Sequence, residues 1–407
     1  MKIPTLLKRF LKLVRYGMLF FVGLIVIALF SFWIEMKSEV TLPAPTGSLA
    51  VGRTAFHWVD STRTDSLTPE PHTKRELMVW IWYPASITGS DRTVEYIPAD
   101  LSKALNAKRG ALLNTFTTRD AAKIHAHSLQ DAAVADDRPS YPVVLLRSAI
   151  GTLATDYTTF AEELASHGYI VVGSDAPYST WLMRFPDGRL VDRTHAGNPG
   201  EAAELSQQTE RILERLVRIW SADARFILDR LEELNSTDTL SRFHGRSDLG
   251  SVGVMGHSFG GATAAQFCVD DPRCKAGVDM DGAPYGTVVQ DGLTKPFMFL
   301  LADHAEEMDP TSMRIKSRIA AIYNSLPASR SWIYLEGAQH FNFSDLPFQK
   351  EVFSSRLFGF TGSIGDRRGM EVISSCLLAF FDEHLKGGAH GMEDLGERYP
   401  EIGFAAQ

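Results

Sequence analysis

Hydrophobic and polar positions divide the 407-residue chain into three regimes. From Tyr16 to Ile34 runs an uncharged stretch of 19 residues with no polar face. Residues 38–75 are polar, with Pro43, Pro45, Pro69 and Pro71 breaking any period, which predicts a linker. Beyond residue 76, short continuous apolar runs alternate with segments of helical period. The runs Leu77–Tyr83, Tyr141–Arg147, Tyr169–Ser174, Val252–Met255, Ala276–Met280, Pro296–Leu301 and Ser331–Leu335 predict strands buried on both faces. Helical patterns lie between and after them, at about 156–166, 201–234, 259–268, 314–325 and 371–385. Residues 85–140 have no clean period and are expected to hold loops and short helices. Strand and helix alternating in this way predict an α/β domain, a mostly parallel sheet with right-handed crossovers and helices on both faces. The expected division is 1–38, a basic N-terminus with a membrane-spanning segment; 39–75, a linker; and 76–407, one α/β domain.

The first segment is long enough, at helical rise, to cross the hydrocarbon core of a bilayer. Lys2, Lys8, Arg9, Lys12 and Arg15 precede it with no acid among them, while Lys37 alone follows closely. That bias predicts a signal anchor with its N-terminus in the cytoplasm and the body on the periplasmic or extracellular side. A cleaved signal peptide, leaving a secreted body, is the alternative, although Phe32-Trp-Ile-Glu-Met36 is a poor cleavage site. The formal charge of −8 hides an asymmetry: past residue 16 there are 36 bases against 49 acids. So acidic a body argues against a nucleic-acid partner. Three cysteines are too few for a disulfide framework; Cys268 and Cys274 are expected as buried thiols, with a bridge as the alternative in an oxidising compartment.

Candidate chemistry centres on Gly256-His-Ser-Phe-Gly260, a G-x-S-x-G placed between a buried strand and an alanine-rich helix. The glycines leave room for a sharp, strained turn that lifts the Ser258 hydroxyl to the N-terminus of the helix. A serine there needs a base to take its proton and an acid to orient that base. Of the histidines that follow, His384 falls inside the last helix and His390 in a glycine-flanked tail, while His304 directly follows an acid candidate, Asp303. His340 follows the strand Ser331–Leu335 by a few residues, where a base would be presented. For the acid, strand alternation puts Asp279 and Asp281 on one side, with Asp281 further into the loop. On the residues alone, Asp281 and Asp303 remain equal. One oxyanion N–H is expected from Phe259 and a second from the loop around Ser148-Ala-Ile-Gly151.

These residues carry a resemblance to the platelet-activating-factor acetylhydrolases of the plasma and intracellular type-II kind, over most of 78–345. It rests on Ile81-Trp-Tyr-Pro84, on Ile150-Gly151 with Leu164-Ala-Ser-His-Gly-Tyr-Ile170, and on Val254-Met-Gly-His-Ser-Phe-Gly-Gly-Ala-Thr263. Gly277-Val-Asp-Met-Asp281 and Gly337-Ala-Gln-His340 with Phe343 complete it. The resemblance implies an α/β-hydrolase fold with Ser258 as nucleophile, Asp281 as acid, His340 as base, and Phe259 and Ile150 as oxyanion donors. It further implies a calcium-independent esterase that releases short or oxidised acyl chains from phospholipids, with a lipid or small ester as its partner. The chain departs from the family at Ser148-Ala149, where a His-Gly pair is usual, and the apolar N-terminal segment lies outside the resemblance. No cofactor or metal is expected, since the histidines and cysteines lack ligand spacing. A general carboxylesterase or polyester hydrolase would use the same triad. A membrane-anchored binding module built on this fold would usually have lost the serine or the histidine, and both are kept.

Overall fold

The computed structural model describes residues 5–89, 91–110, 118–200, 207–237, 241–303, 309–327, 330–349, 359–388 and 391–405. In chain order its strands are β1 (Val40–Thr41), β2 (Ala50–Thr64), β3 (Lys74–Ala85), β4 (Thr93–Glu95), β5 (Ile124–Gln130), β6 (Tyr141–Arg147) and β7 (Ile170–Asp175). A small separate hairpin, β8 (Leu182–Arg184) and β9 (Leu190–Asp192), follows. Then come β10 (Ser247–His257), β11 (Cys274–Met280), β12 (Phe297–Leu301), β13 (Arg330–Leu335) and β14 (Ile402–Phe404). The principal helices are α1 (Thr5–Lys37), α2 (Ala99–Arg109), α3 (Thr158–Ser166), α4 (Gln207–Ser236), α5 (Phe259–Asp270), α6 (Pro310–Ser325) and α7 (Asp366–Lys386).

The main sheet runs β1-β5-β2-β3-β7-β6-β10-β11-β12-β13-β14, with β4 paired to β5. From β7 to β13 all neighbours are parallel; β3 joins β7 and β14 joins β13 antiparallel. The reason these strands are continuously apolar shows in the packing. Val144, Leu146, Val171, Met255, Val278, Met280, Met298, Leu300 and Ile333 face one core with α3 and α7. Their neighbours Val143, Leu145, Ile170, Val172, Val254, Phe297 and Phe299 face a second core with α4, α5 and α6. Period-2 alternation therefore sends the apolar residues of the central strands alternately into one layer or the other. This is the α/β-hydrolase arrangement.

Two expected loop regions contain strands. The stretch read as a linker holds β2, which pairs along nearly its whole length with β3. Its polar residues are satisfied by distant partners, Arg53 by the Glu95 and Tyr96 carbonyls and His57 by Glu76, so no local pattern reveals them. Within 85–140, β4 and β5 extend the sheet and α2 packs beside them. The last long helix begins at Asp366 rather than near residue 371, and β14 follows it. The expected helix start at 201–206, His304 and His390 lie outside the described residues.

The helix α1 is long and apolar enough, from Arg9 to Lys37, to cross a membrane. Its C-terminal end touches the body: Met36 is buried, and the Arg119 guanidinium donates to the Glu35 carbonyl at 2.7 Å and the Ser38 carbonyl at 2.5 Å. Cys268 and Cys274 are joined in a disulfide, which corrects the expectation of two thiols. The end of α5 and the start of β11 bring them together across a tight turn, an adjacency that six residues of spacing do not reveal. Cys376 is a buried thiol.

Candidate active site

Register alone assembles the site. Gly256 pairs with Asp279 and His257 with Met280, so Ser258 and Asp281 leave the C-terminal ends of adjacent parallel strands side by side. On the other flank Gly256 pairs with Arg147, which places the Ser148–Gly151 loop against the same strand end. β13 ends at Leu335, and His340 opens a short 3-10 turn, His340–Phe343, beyond it. All four loops leave the carboxyl edge of the sheet, where parallel α/β sheets gather their functional groups.

Ser258 is half-buried and sits at φ 56°, ψ −122°, immediately before α5. Its N–H donates to the Met280 carbonyl at 2.8 Å, and its own carbonyl accepts from Gly261 N at 2.9 Å. The turn is possible only because of its glycines. A Cβ on Gly256 would lie 2.1 Å from the Gly260 oxygen, and one on Gly260 would lie 2.2 Å from the Arg147 oxygen. The Phe259 N–H occupies the first helical position, where a helix supplies no internal acceptor. Among the described residues the Ile150 N–H likewise meets no acceptor. Gly151 beside it takes φ 90° and exchanges backbone bonds with Ser179 and Trp181, which fixes the loop.

The candidate carboxylates differ in geometry. Extended backbone stops at Met280, and Asp281 turns at φ 56°, so strand alternation no longer sets its direction. Its Oδ2 lies 2.5 Å from His340 Nδ1, and its Oδ1 accepts the Ala302 N–H at 2.8 Å. Asp303 instead is exposed and accepts the Gly337 N–H at 3.1 Å, holding the backbone of the base loop rather than its ring. Asp279 is fully buried behind the elbow, and among the described residues its oxygens make no well-formed hydrogen bond, the Gly282 N–H being the nearest donor that acts on it. Burial first, and the Asp281 charge second, hold its pKa well above the usual carboxylate range.

Two residues at the site were not singled out from the sequence. His257, fully buried, places Nε2 2.9 Å from the His340 carbonyl, and its Nδ1 lies 2.9 Å from the Tyr157 hydroxyl. Tyr157 also accepts the Ala149 N–H at 3.0 Å. Burial, with His340 close by, pulls the His257 pKa well below its ordinary value, which favours the neutral ring. A histidine placed directly before the serine of G-x-S-x-G was the one available signal; its partners, 83 and 100 residues away, could not be read. Around the site, Phe341 stacks edge-on to His340 at 5.3 Å, and the half-exposed Phe360 lies 5.8 Å from Phe341. Among the described residues no group of three or more His, Cys, Asp and Glu side chains is arranged to hold a metal ion.

Comparison with known proteins gives the family of the chain. Residues 34–176 and 204–393 match the family described as platelet-activating factor acetylhydrolase, isoform II. A platelet-activating factor acetylhydrolase from Cavia porcellus is 25% identical over 259 residues, 60% of this chain and 58% of that protein. A probable 1-alkyl-2-acetylglycerophosphocholine esterase from Arthroderma benhamiae is 25% identical over 91% of this chain and 95% of its own length. A solved ferulic acid esterase from Streptomyces cinnamoneus superposes with a TM-score of 0.74 at 27% identity, covering 91% of this chain and all of that one.

Proposed function

Because the chain belongs to the platelet-activating factor acetylhydrolase, isoform II, family, we propose that it is a serine esterase that removes short or modified acyl chains from phospholipids. Ser258 Oγ attacks the acyl carbonyl while His340 takes its proton. Asp281 fixes the Nδ1–H tautomer of His340 and stabilises the imidazolium that forms. The Phe259 and Ile150 N–H groups receive the tetrahedral oxyanion. His340 returns the proton to the leaving alcohol, then activates the water that cleaves the acyl-enzyme. The observation carrying this reading is the 2.5 Å contact between Asp281 and His340 at the same sheet edge as a serine in a strained elbow. Relatives named as acetylhydrolase and 1-alkyl-2-acetylglycerophosphocholine esterase support the substrate class. Phe341 and Phe360 offer an apolar wall to an acyl chain.

The apolar stretch of α1 and the basic residues preceding that stretch support anchorage with the body outside the cytoplasm, and a disulfide fits an oxidising compartment. A tether keeps the site at high local concentration over bilayer lipids. The full-length likeness to a ferulic acid esterase supports a second reading, a carboxylesterase of small soluble esters. Rates on a phospholipid with an acetyl group at sn-2, on its long-chain counterpart and on p-nitrophenyl acetate separate the two. A clear preference for the short-chain phospholipid is expected; turnover of the soluble ester alone contradicts the lipid assignment.

A further inference from the structure

We infer that His257 and Tyr157 form a positioning relay that ties the oxyanion loop to the backbone of the catalytic base, an inference resting on the esterase reading above. The direction of every bond in the relay follows from chemistry. A carbonyl only accepts, so the 2.9 Å contact between His257 Nε2 and the His340 oxygen requires a proton on Nε2. A neutral ring then has a bare Nδ1, which must accept, and the Tyr157 O–H at 2.9 Å is its donor. The phenol oxygen in turn receives the Ala149 N–H at 3.0 Å. One directed chain therefore runs from Ala149 N–H through the Tyr157 hydroxyl and the His257 ring to the His340 carbonyl.

Its ends are the two parts that must not drift. Ala149 directly precedes Ile150, the proposed oxyanion donor, and Thr152 Oγ1 lies 3.0 Å from the Ala149 carbonyl and 3.1 Å from the Tyr157 hydroxyl, bracing the same corner of the relay. His340 is held at Nδ1 by Asp281 and at its carbonyl by His257, so both ring and backbone are pinned. The base itself is partly open to solvent, with a side-chain exposure of 37%, and packing alone does not immobilise it. The relay lies in the dry interior: Tyr157 and His257 are fully buried, where each bond is strong and a broken one costs most. Their rings also pack, Tyr157 against His257 at 5.7 Å and His257 against His340 at 4.6 Å.

Three variants of the full chain divide the relay. His257→Gln puts an amide N–H where Nε2 stood and keeps the donor to His340; His257→Asn reproduces the Nδ1 side alone and loses that donor. Tyr157→Phe deletes one oxygen and leaves the ring in place. On p-nitrophenyl acetate, His257→Asn and Tyr157→Phe are expected to lower kcat about tenfold to a hundredfold with KM nearly unchanged. His257→Gln is expected to recover most of the loss seen in His257→Asn, and the Tyr157→Phe/His257→Asn double variant to fall little below the lower single. Histidine ring ¹⁵N shifts should show His257 as a neutral Nε2–H tautomer through the pH range of activity. Folded variants with wild-type kcat, a His257→Gln no better than His257→Asn, or an Nδ1–H tautomer would overturn the relay. Activity that survives in Ser258→Ala would instead remove the esterase reading, so the two failures are distinguishable.

Discussion

Replacing Asp281 by asparagine tests the geometry most quantitatively, because the carboxylate has two acceptor jobs that an amide cannot share. Asp281 Oδ1 accepts the buried Ala302 N–H, and Oδ2 faces His340 Nδ1. If the asparagine oxygen keeps Ala302, its NH₂ faces Nδ1 and donates to it. That forces the proton onto Nε2, the atom that must take the serine proton. Flipping the amide sets its NH₂ against the Ala302 N–H and leaves a buried donor unmet, at about 1–3 kcal/mol. The charge-assisted bond to the imidazolium, about 1.5–3 kcal/mol, is lost in either rotamer. Together these give about 2.5–6 kcal/mol, or roughly 10²–10⁴ in kcat at about 1.4 kcal/mol per decade. Steady-state kinetics on p-nitrophenyl acetate, with folding checked by thermal melting, read this directly. Asp303→Asn, which disturbs only an exposed bond to Gly337 N, is expected to cost a few-fold at most. A loss below tenfold in Asp281→Asn, or a larger loss in Asp303→Asn, would refute the assignment of the acid.

Other expectations follow from the residues around the site. Burial raises the Asp279 pKa well above its unfolded value near 3.8, so burying it costs little below that value and progressively more as pH rises towards the folded value. Asp279→Asn should therefore gain stability relative to wild type across that window; urea unfolding at several pH values checks it, and a pH-independent difference would contradict it. Replacing Cys268 and Cys274 together by alanine opens a loop of six-residue separation and should cost about 2 kcal/mol by chain entropy. Urea unfolding under non-reducing conditions measures it, and unchanged stability would mean the bridge does not form.

The parts of this molecule legible in the sequence are those whose cause is local. The elbow is written in Gly256, Ser258 and Gly260 because the clash each glycine avoids is with atoms a few residues away or in the adjoining strand. The central strands are legible because burial on both faces leaves no exposed position in runs such as Tyr141–Arg147. β2 was missed for the opposite reason: it has polar residues on both faces, and its charges are met by groups far along the chain, Arg53 by Glu95 and Tyr96 and Arg63 by Asp223. The acid was ambiguous because Asp279, Asp281 and Asp303 all end strands. What separates them is a single left-handed residue at Asp281, which no pattern of residue types encodes. His257 carries no role legible in the sequence because its bonds depend on tertiary partners.

The most direct test of the central claim is covalent. An excess of diethyl p-nitrophenyl phosphate should inactivate the full chain with release of one equivalent of p-nitrophenol, and peptide mapping should place the diethylphosphoryl group on Ser258. Ser258→Ala should neither release the burst nor hydrolyse esters. Esterase activity that resists the reagent, or an adduct on any other residue that accounts for the inactivation, would contradict Ser258 as the nucleophile.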